Sequence, residues 1–307
     1  MDGVPQPESP AMIITSRAPV RIDFAGAWTD VPVFARGAGG AVVNASINRF
    51  VEGRLEVGDR PGVEGIRVSY QCDLPAGSGL GTSAALNVCW LGLIESQIAP
   101  TQEHRERIAE LAFQLEEMLG ILGGKQDQYA AALGGINFLQ FGEEVAVERL
   151  DVPASMVQEM ERRLVLCYTG KSRLSGSIHE NVWCAFRRGM PETVNALYAL
   201  RDGAVMMREA LLGGRIDQFG ALLGESWRHQ KALDPSVTNE QIEVLFREAL
   251  EAGALHGKAC GAGGGGCLLF YVAQGRESAV SDALARAGAR VIPFRFEFEG
   301  LRMERLE

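Results

Sequence analysis

The spacing of apolar residues predicts β-strands in the opening part of the chain. Apolar and polar positions alternate over residues 20–24, which is the period of a half-buried strand. Residues 13–15, 41–47 and 49–57 are rich in the β-branched and apolar side chains that strands favour. The same character returns over residues 135–141. We therefore expect a mainly β opening that is interrupted by helices.

After residue 80 the spacing of apolar residues becomes helical. Thr82 and Ser83 precede an apolar run over residues 82–98, and their hydroxyls suit the start of a helix. Over residues 103–119 apolar side chains recur about every 3.6 residues, which predicts an amphipathic helix. Asp127 follows this helix in a segment that the sequence predicts to be a loop.

The second half of the chain combines buried strands with a long helical stretch. An apolar run at residues 164–168 predicts a buried strand, and residues 177–255 predict several helices. The helical stretch is broken at Pro191, at the Gly213–Gly214 pair and at Pro235. After this stretch, the last part of the chain predicts a strand over residues 267–272, a helix over 278–287 and an apolar segment at 291–294. This order of elements predicts two α+β lobes, residues 1–160 and 161–307.

Composition places the chain among globular proteins. It is 47% apolar and 22% charged, with 39 acidic and 30 basic residues and a net charge of −9. A nucleic-acid binder normally carries a basic surface, so this class is disfavoured. No apolar stretch approaches the ~20 residues that span a bilayer, and the first ten residues lack the features of a secretory signal. We expect a cytoplasmic protein that binds neither nucleic acid nor membrane.

The cysteines give no sign of a metal or disulfide framework. All six are widely separated, and no two of them form a CxxC pair. Most lie in apolar runs, where a small hydrophobic side chain serves packing. A structural zinc site and a disulfide scaffold are both disfavoured.

Clustered glycine is the first indication of phosphate chemistry. Gly77, Gly79 and Gly81 occupy alternate positions directly before the helix predicted at Thr82. Glycine lets several backbone amides point into one concavity, and the helix N-terminus adds N–H groups and a positive dipole end. The competing interpretation is a glycine-rich turn capped by serine. The candidate phosphate-binding residues are Pro75, Gly77, Ser78, Gly79, Leu80, Gly81, Thr82 and Ser83.

Two other glycine-containing segments fit established motifs less well. Residues 261–266 satisfy the dinucleotide pattern GxGxxG, but they precede a strand instead of opening a helix. Gly170, Lys171 and Ser172 are similar to the end of a P-loop, yet Val165 stands where that motif needs glycine. We therefore reject both a Rossmann site and a P-loop.

Four blocks of the chain, in this order, resemble the GHMP small-molecule kinases. The blocks are residues 19–30, 75–85, 123–129 and 258–267, and the resemblance extends from about residue 13 to 275. It implies a two-lobed α+β fold with a ribosomal protein S5 domain 2-like N-terminal lobe and a ferredoxin-like C-terminal lobe. It also places the loop that contains Lys258 beside the active site.

Within this family the chain is most similar to sugar kinases that phosphorylate an anomeric hydroxyl. These are the D-glycero-D-manno-heptose 7-phosphate kinases and the kinase domain of L-fucokinases, which share the Gly-Gly-x-Gln-Asp-Gln sequence of residues 123–128. Galactokinases carry Glu-His where this chain has Ala27 and Trp28, which argues against galactose.

The resemblance implies a role for each candidate residue. Asp127 faces the acceptor hydroxyl as a base or as an orienting charge, and Arg21 offsets charge that develops during transfer. Ser83 and Glu116 bind Mg²⁺, with Glu117 as the alternative to Glu116. The candidate substrate-binding residues are Asp30, Trp28, Gly124, Gln126, Lys171, Arg173, Gly261, Gly263 and Gly264.

Some of these residues have a purely structural alternative. Trp28 packs against the sugar or fills the core. Lys171 and Arg173 bind a sugar-borne phosphate or belong to an ordinary solvated basic loop. His179 stays unassigned, because four scattered histidines form no metal-binding pattern.

The resemblance predicts an ATP- and Mg²⁺-dependent kinase. It would transfer the γ-phosphoryl group to the anomeric hydroxyl of a heptose 7-phosphate, which gives the 1,7-bisphosphate. L-Fucose or a related free sugar is the alternative acceptor. A non-catalytic relative that senses sugar and binds ATP without turnover is the alternative from another class.

Overall fold

The computed structural model describes residues 12–60, 63–75, 77–95, 100–121, 123–171 and 176–306. The described residues form ten strands, ten α-helices and a 3₁₀ turn at Pro235–Val237. The strands are β1 (Met12–Ala25), β2 (Gly40–Arg60), β3 (Val63–Cys72), β4 (Ile136–Phe141), β5 (Val145–Arg149), β6 (Leu164–Tyr168), β7 (Ala254–Ala259), β8 (Cys267–Val272), β9 (Arg290–Val291) and β10 (Arg302–Leu306). The helices are α1 (Pro32–Ala38), α2 (Thr82–Ile94), α3 (Gln102–Met118), α4 (Gln126–Leu133), α5 (Ala154–Arg163), α6 (Gly176–Arg187), α7 (Pro191–Leu212), α8 (Ile216–Lys231), α9 (Glu240–Ala252) and α10 (Glu277–Arg286).

The first sheet is antiparallel and is organised around the long strand β2. Its strand order is β10-β1-β2-β4-β5, and β3 pairs with the second half of β2. The first residues of β2, from Gly40 to Ala45, pair with β4 instead. The C-terminal strand β10 pairs with β1, so the end of the chain returns to the first sheet. The predicted division of the chain near residue 160 stays a prediction.

The second sheet has the strand order expected of a ferredoxin-like unit. Its order is β7-β8-β6-β9, and every neighbouring pair is antiparallel. All six residues of β8 are buried, and the rings of Tyr271 and Phe270 pack against Phe219 on α8 and Phe246 on α9. A strand without a solvent face shows a continuous apolar run instead of alternation, which is what the sequence has over residues 267–272. The two-lobed α+β fold is confirmed.

The two halves of the chain share buried contacts. The rings of Phe24 on β1 and Phe219 on α8 meet edge to face with centroids 5.0 Å apart. Lys258 on β7 is fully buried, and its Nζ donates to the backbone oxygen of Asp23 on β1 at 3.0 Å and to the Asp23 carboxylate. Lys258 therefore ties the second sheet to the first, and the expectation that it lies in a loop is wrong. Among the residues that the structure describes, no helix is both long and apolar enough to cross a bilayer.

One further expectation about local structure is wrong. Asp127 lies in the first turn of helix α4 and not in a loop. Seven of the eight residues of α4 are buried, including Gln126 and Gln128. A helix that is buried on all sides has no polar face, so its sequence lacks the periodicity that would predict it. Helix α2 ends at Ile94, and residues 96–99 of the predicted run lie outside the described residues.

Candidate active site

A cleft of about 550 Å³ contains residues from all four sequence blocks. Arg21 on β1 and Asp127 on α4 line it, and Arg21 contacts Gly79 of the glycine-rich loop while Gln126, next to Asp127, contacts Asp30. Gly261 and its neighbours enter the cleft from the second half of the chain. The sequence blocks, which are far apart along the chain, therefore meet in one place.

The loop before helix α2 has the geometry of an anion cradle. Gly77, Gly79 and Gly81 adopt left-handed backbone angles, with φ of 70°, 75° and 74°. No side chain caps the first turn of α2, so its N–H groups remain available to a ligand. The Ser78 hydroxyl is hydrogen-bonded to the Thr82 hydroxyl at 2.9 Å and accepts from the Leu80 N–H within the loop at 3.4 Å. Ser78 therefore stabilises the glycine-rich turn itself, while the N-terminus of α2 stays uncapped.

The later glycine-rich segment packs directly on this loop. The Cys267 N–H donates to the Ser78 carbonyl oxygen at 2.7 Å. A Cβ at Gly261 would lie 3.0 Å from Gly79 Cα, so the two backbones approach more closely than side chains allow. Gly261 and Gly263 line the cleft. Gly264 is outside the lining, and its N–H donates to the Val237 carbonyl oxygen at 2.7 Å.

Arg21 and Asp127 form the central charged pair. Arg21 Nε and Nη2 lie 2.8 and 2.7 Å from Asp127 Oδ1, and Arg21 Nη1 donates to the Gly79 carbonyl oxygen at 2.6 Å. Burial raises the pKa of Asp127, although the neighbouring guanidinium opposes this effect. Burial alone would lower the pKa of Arg21, but nearby carboxylates, Asp127 first, raise it. The raised pKa of Arg21 keeps its guanidinium charged, and this charge is paired with the Asp127 carboxyl group beside the glycine-rich loop.

Asp30 lies next to this pair at the start of α4. The Gln126 N–H donates to Asp30 Oδ2 at 3.1 Å. Gly124 is adjacent, and any Cβ there would overlap the Asp30 carboxyl group. Burial, together with the nearby charge of Asp127, raises the pKa of Asp30 to about 7. This carboxyl group can accept or donate a hydrogen bond near neutral pH.

Glu116 on α3 is the second buried carboxylate of the cleft. Asn87 donates to its Oε1 at 3.0 Å and Gln128 donates to its Oε2 at 2.7 Å. Burial first, and then the charge of Asp127, raise its pKa to about 7. Ser83 lies one helical turn before Asn87 on α2 and also lines the cleft, whereas Glu117 is exposed and outside the lining. Of the two glutamates, only Glu116 faces the cleft.

A hydroxyl and a carboxylate are the oxygen ligands that Mg²⁺ accepts beside nucleotide phosphates. Ser83 and Glu116 provide this donor set, and none of the described residues gives Glu116 a cationic partner. In the described part of the chain, no group of three or more His, Cys, Asp or Glu residues could hold a metal ion by itself. The residues fit an ion that is bound together with a nucleotide.

Comparison with known proteins identifies the family. The family model for the GHMP kinases N-terminal domain matches residues 42–135, and the model for the GHMP kinases C-terminal part matches residues 207–290. The chain belongs to the GHMP kinase family. GHMP kinases use ATP as phosphate donor, so this protein is an ATP-dependent phosphotransferase.

Three similar proteins cover most of this GHMP kinase. A D-glycero-alpha-D-manno-heptose 7-phosphate kinase from Campylobacter jejuni is 29% identical, over 95% of this chain and 99% of the relative. A bifunctional fucokinase/GDP-fucose pyrophosphorylase from Arabidopsis thaliana is 28% identical, over 82% of this chain and 29% of the relative. The crystal structure of a D-glycero-D-manno-heptose 1-phosphate kinase from Bacteroides thetaiotaomicron superposes with a TM-score of 0.72 at 25% identity, over 96% and 99% of the two chains.

The remaining predicted residues of this GHMP kinase are placed as follows. Trp28 and Gln126 line the cleft, and Trp28 also belongs to the second hydrophobic core, whereas its packing against a sugar stays a prediction. Pro75 and Leu80 lie outside the lining, and the Leu80 carbonyl oxygen accepts from the Arg21 N–H at 3.0 Å. Lys171 is exposed and outside the lining, and Arg173 lies outside the described residues.

The sequence reasoning missed two residues of the cleft lining, Gln128 and His179, and also Asn87, which lies outside the lining but contacts Glu116. Asn87 and Gln128 hold the Glu116 carboxylate, and His179 on α6 lines the cleft beside Trp28. The i, i+4 spacing of Asn87 from Ser83 could have revealed Asn87, because such residues share a helix face. No pattern in the sequence singles out His179.

Proposed function

We propose that this GHMP kinase phosphorylates the anomeric hydroxyl of D-glycero-D-manno-heptose 7-phosphate, which gives the 1,7-bisphosphate. The observation that carries the proposal is the Arg21–Asp127 pair, which lies between the phosphate cradle and Asp30. The similarity to a heptose 7-phosphate kinase along nearly the whole of both chains supports this acceptor.

The chemistry is direct transfer of the γ-phosphoryl group to the hydroxyl. The loop of residues 77–81 and the start of α2 bind the phosphates through backbone N–H groups. Asp127 accepts or orients the proton of the attacking hydroxyl, and Arg21 stabilises charge on the transferring group. Because Arg21 holds both Asp127 and the Gly79 carbonyl oxygen, it fixes the base relative to the phosphates.

Ser83 and Glu116 would hold a Mg²⁺ ion in this enzyme. When bound there, the ion would supply positive charge that offsets part of the negative charge of the ATP phosphates. Asn87 and Gln128 orient the Glu116 carboxylate through their amide groups.

Asp30 is the proposed contact to the sugar hydroxyls, because it is buried at the acceptor side of Asp127. A carboxyl group that pairs with hydroxyls rejects analogues that lack them, since the buried group would then lose its partner. Lys171 and Arg173 are the proposed contacts to the sugar-borne phosphate.

L-Fucose is the second candidate acceptor, and the similarity to a bifunctional fucokinase favours it. A sensor without turnover is disfavoured, because it needs no charged pair like Arg21–Asp127 beside the phosphates.

An ADP-release assay over several sugars tests the proposal. We expect D-glycero-D-manno-heptose 7-phosphate to be phosphorylated faster than L-fucose, arabinose, mannose and galactose. Faster turnover of L-fucose would replace the heptose assignment, and no turnover of any sugar would refute both.

The variant Asp127→Asn is the control for this assay. General base catalysis contributes about 10²–10⁴-fold, so kcat should fall by that factor. Binding of a non-hydrolysable ATP analogue, measured by calorimetry, should stay within a few fold of the wild type. A variant that keeps full turnover would exclude Asp127 from the reaction.

A further inference from the structure

The acceptor side of the cleft has an aromatic wall formed by Trp28 and His179. Both residues line the cleft, and their rings lie 4.4 Å apart at an interplanar angle of 31°. Trp28 is two residues before Asp30 in a tight turn. The Thr29 hydroxyl donates to the Gly26 and Ala41 carbonyl oxygens at 2.8 and 2.9 Å, which fixes this turn. The wall therefore has a defined position relative to the Asp30 carboxyl group.

Trp28 is held in an unfavourable backbone conformation. Its φ is 79°, and in the described part of the chain no other non-glycine residue has a positive φ. Such a conformation costs about 1–3 kcal/mol and concentrates at functional sites. The buried indole N–H of Trp28 also lacks a hydrogen-bond partner within the residues that the structure describes. The wall therefore contains one N–H group, that of Trp28, for which the described residues supply no acceptor.

His179 presents a neutral N–H group at the same wall. Trp183 Nε1 donates to His179 Nδ1 at 3.4 Å, which assigns the imidazole proton to Nε2. Burial lowers the pKa of His179 to about 4, so the ring is uncharged at neutral pH. None of the described residues accepts a hydrogen bond from Nε2, and His179 is half-buried in the cleft lining.

We propose that His179 is a specificity residue whose Nε2–H donates to a hydroxyl group of the acceptor sugar beside the Trp28 ring. This inference rests on the proposed sugar kinase function and deepens it. An uncharged donor matches a hydroxyl better than a phosphate, which would favour a protonated imidazole. Trp183 acts as a positioning residue, because its indole N–H selects the tautomer that carries the proton on Nε2.

Two substitutions separate the hydrogen bond from packing. His179→Phe keeps a ring against Trp28 but removes the donor, whereas His179→Gln keeps an N–H donor without the ring. A hydrogen bond of this kind is worth a factor of about 3–10. We expect His179→Phe to raise the acceptor KM by about 3–10-fold, with the KM for ATP unchanged, and His179→Gln to restore much of the loss.

The unfolding midpoints of both variants show whether a change in KM comes from a loss of stability and not from the lost hydrogen bond. An acceptor KM in His179→Phe equal to that of the wild type would overturn the inference. Equal losses in His179→Phe and His179→Gln that follow their unfolding midpoints would also overturn it, because packing alone would then explain them.

Deoxy sugars identify the contacted hydroxyl. The analogue that lacks this hydroxyl should be used equally well by the wild type and by His179→Phe, whereas other analogues should still distinguish them. The unphosphorylated heptose tests the rival contact. If the effect of His179→Phe disappears with this sugar, His179 binds the phosphate and the hydroxyl assignment is wrong.

NMR of ¹⁵N-histidine-labelled protein tests the inference independently of turnover. The chain has four histidines, and His179→Phe assigns the signal of His179. We expect the free protein to show the Nε2–H tautomer, and a bound sugar to shift its Nε2 resonance in the presence of an ATP analogue. If the ADP assay shows no turnover, the proposed function fails, and this shift alone decides the inference. Absence of a shift with every sugar in the panel overturns it.

Discussion

Asp30 is buried beside two other acidic residues, and this environment has a consequence for stability. Burial, with smaller effects of Asp127 and Asp23, raises its pKa from the ordinary 3.8 to about 7. The folded protein therefore holds a proton at Asp30 that the unfolded chain releases above about pH 4. The stabilisation is complete below pH 4 and is lost as the pH rises towards 7.

Asp30→Asn removes this proton linkage while keeping an oxygen that can accept from the Gln126 N–H. One titrating group gives a slope of at most about 1.4 kcal/mol per pH unit in the free energy of unfolding. Urea unfolding between pH 4.5 and 7 should show a shallower decline for Asp30→Asn than for the wild type. The exposed carboxylate of Asp282 provides a control, since Asp282→Asn should keep the wild-type slope. Parallel curves for Asp30→Asn and the wild type would contradict the assigned pKa.

At the residue scale, the sequence predicts the charged residues of the cleft better than it predicts the residues that contact and orient them. Asp127, Arg21 and Asp30 lie in short blocks whose residue types and order resemble a known family, Glu116 precedes one of these blocks, and all four residues line the cleft. His179 comes from a helix that contributes no such block. Its proximity to Trp28 depends on tertiary packing, which no local pattern records.

At the scale of secondary structure, the start of helix α2 restricts the position of Asp127, the proposed base. Gly81 precedes α2 with φ of 74°, and a Cβ there would lie 3.0 Å from the Asp127 carboxyl carbon. Gly81→Ala should therefore displace Asp127 as well as strain the backbone. Misplacement of a catalytic group by about 1 Å can cost 10²-fold, so we expect kcat to fall by about 10–100-fold.

Gly275→Ala is the matched control for this prediction. Gly275 has φ of 77°, but an added Cβ would meet nothing within 4 Å. Both variants should lose about 1–2 kcal/mol of stability from the left-handed conformation. Steady-state kinetics should then show reduced kcat only in Gly81→Ala. A similar kcat in the two variants would mean that Gly81 does not position Asp127.

The sequence predicts two kinds of element well: helices with one apolar face, and strands that have no polar face. Helix α3 is predicted over residues 103–119 and found at Gln102–Met118, because its apolar side chains keep the helical period. Strands β6 and β8 are found over the predicted residues, because their apolar runs are bounded by polar or glycine-containing segments. Helix α5 is missed, since only three of its residues are buried and Arg163 is one of them.

At the scale of the whole molecule, pairing between distant parts of the chain is what the sequence leaves open. Strand β10 at the C-terminal end pairs with β1, and Asp23 pairs with Lys258 although 235 positions separate them. Local patterning carries no information about such partners. Lysine is seldom fully buried without a partner. A lysine in the sequence therefore suggests a loop or a ligand contact and not a buried strand position.

The Asp23–Lys258 pair should be essential for the joint stability of the two sheets. Both side chains are fully buried, and the Asp23 carboxylate has Lys258 as its cationic partner. Lys258→Met would leave this carboxylate unpaired inside the protein, and removal of one partner of a buried pair costs about 3–5 kcal/mol. We expect a loss of this size in the free energy of unfolding, measured by urea denaturation. The double variant Lys258→Met/Asp23→Asn should regain part of it, because no uncompensated charge remains.

Arg228→Met breaks an exposed pair with Glu225 and should cost less than about 1 kcal/mol. Equal losses in Lys258→Met and Arg228→Met would show that the buried pair does not hold the sheets together.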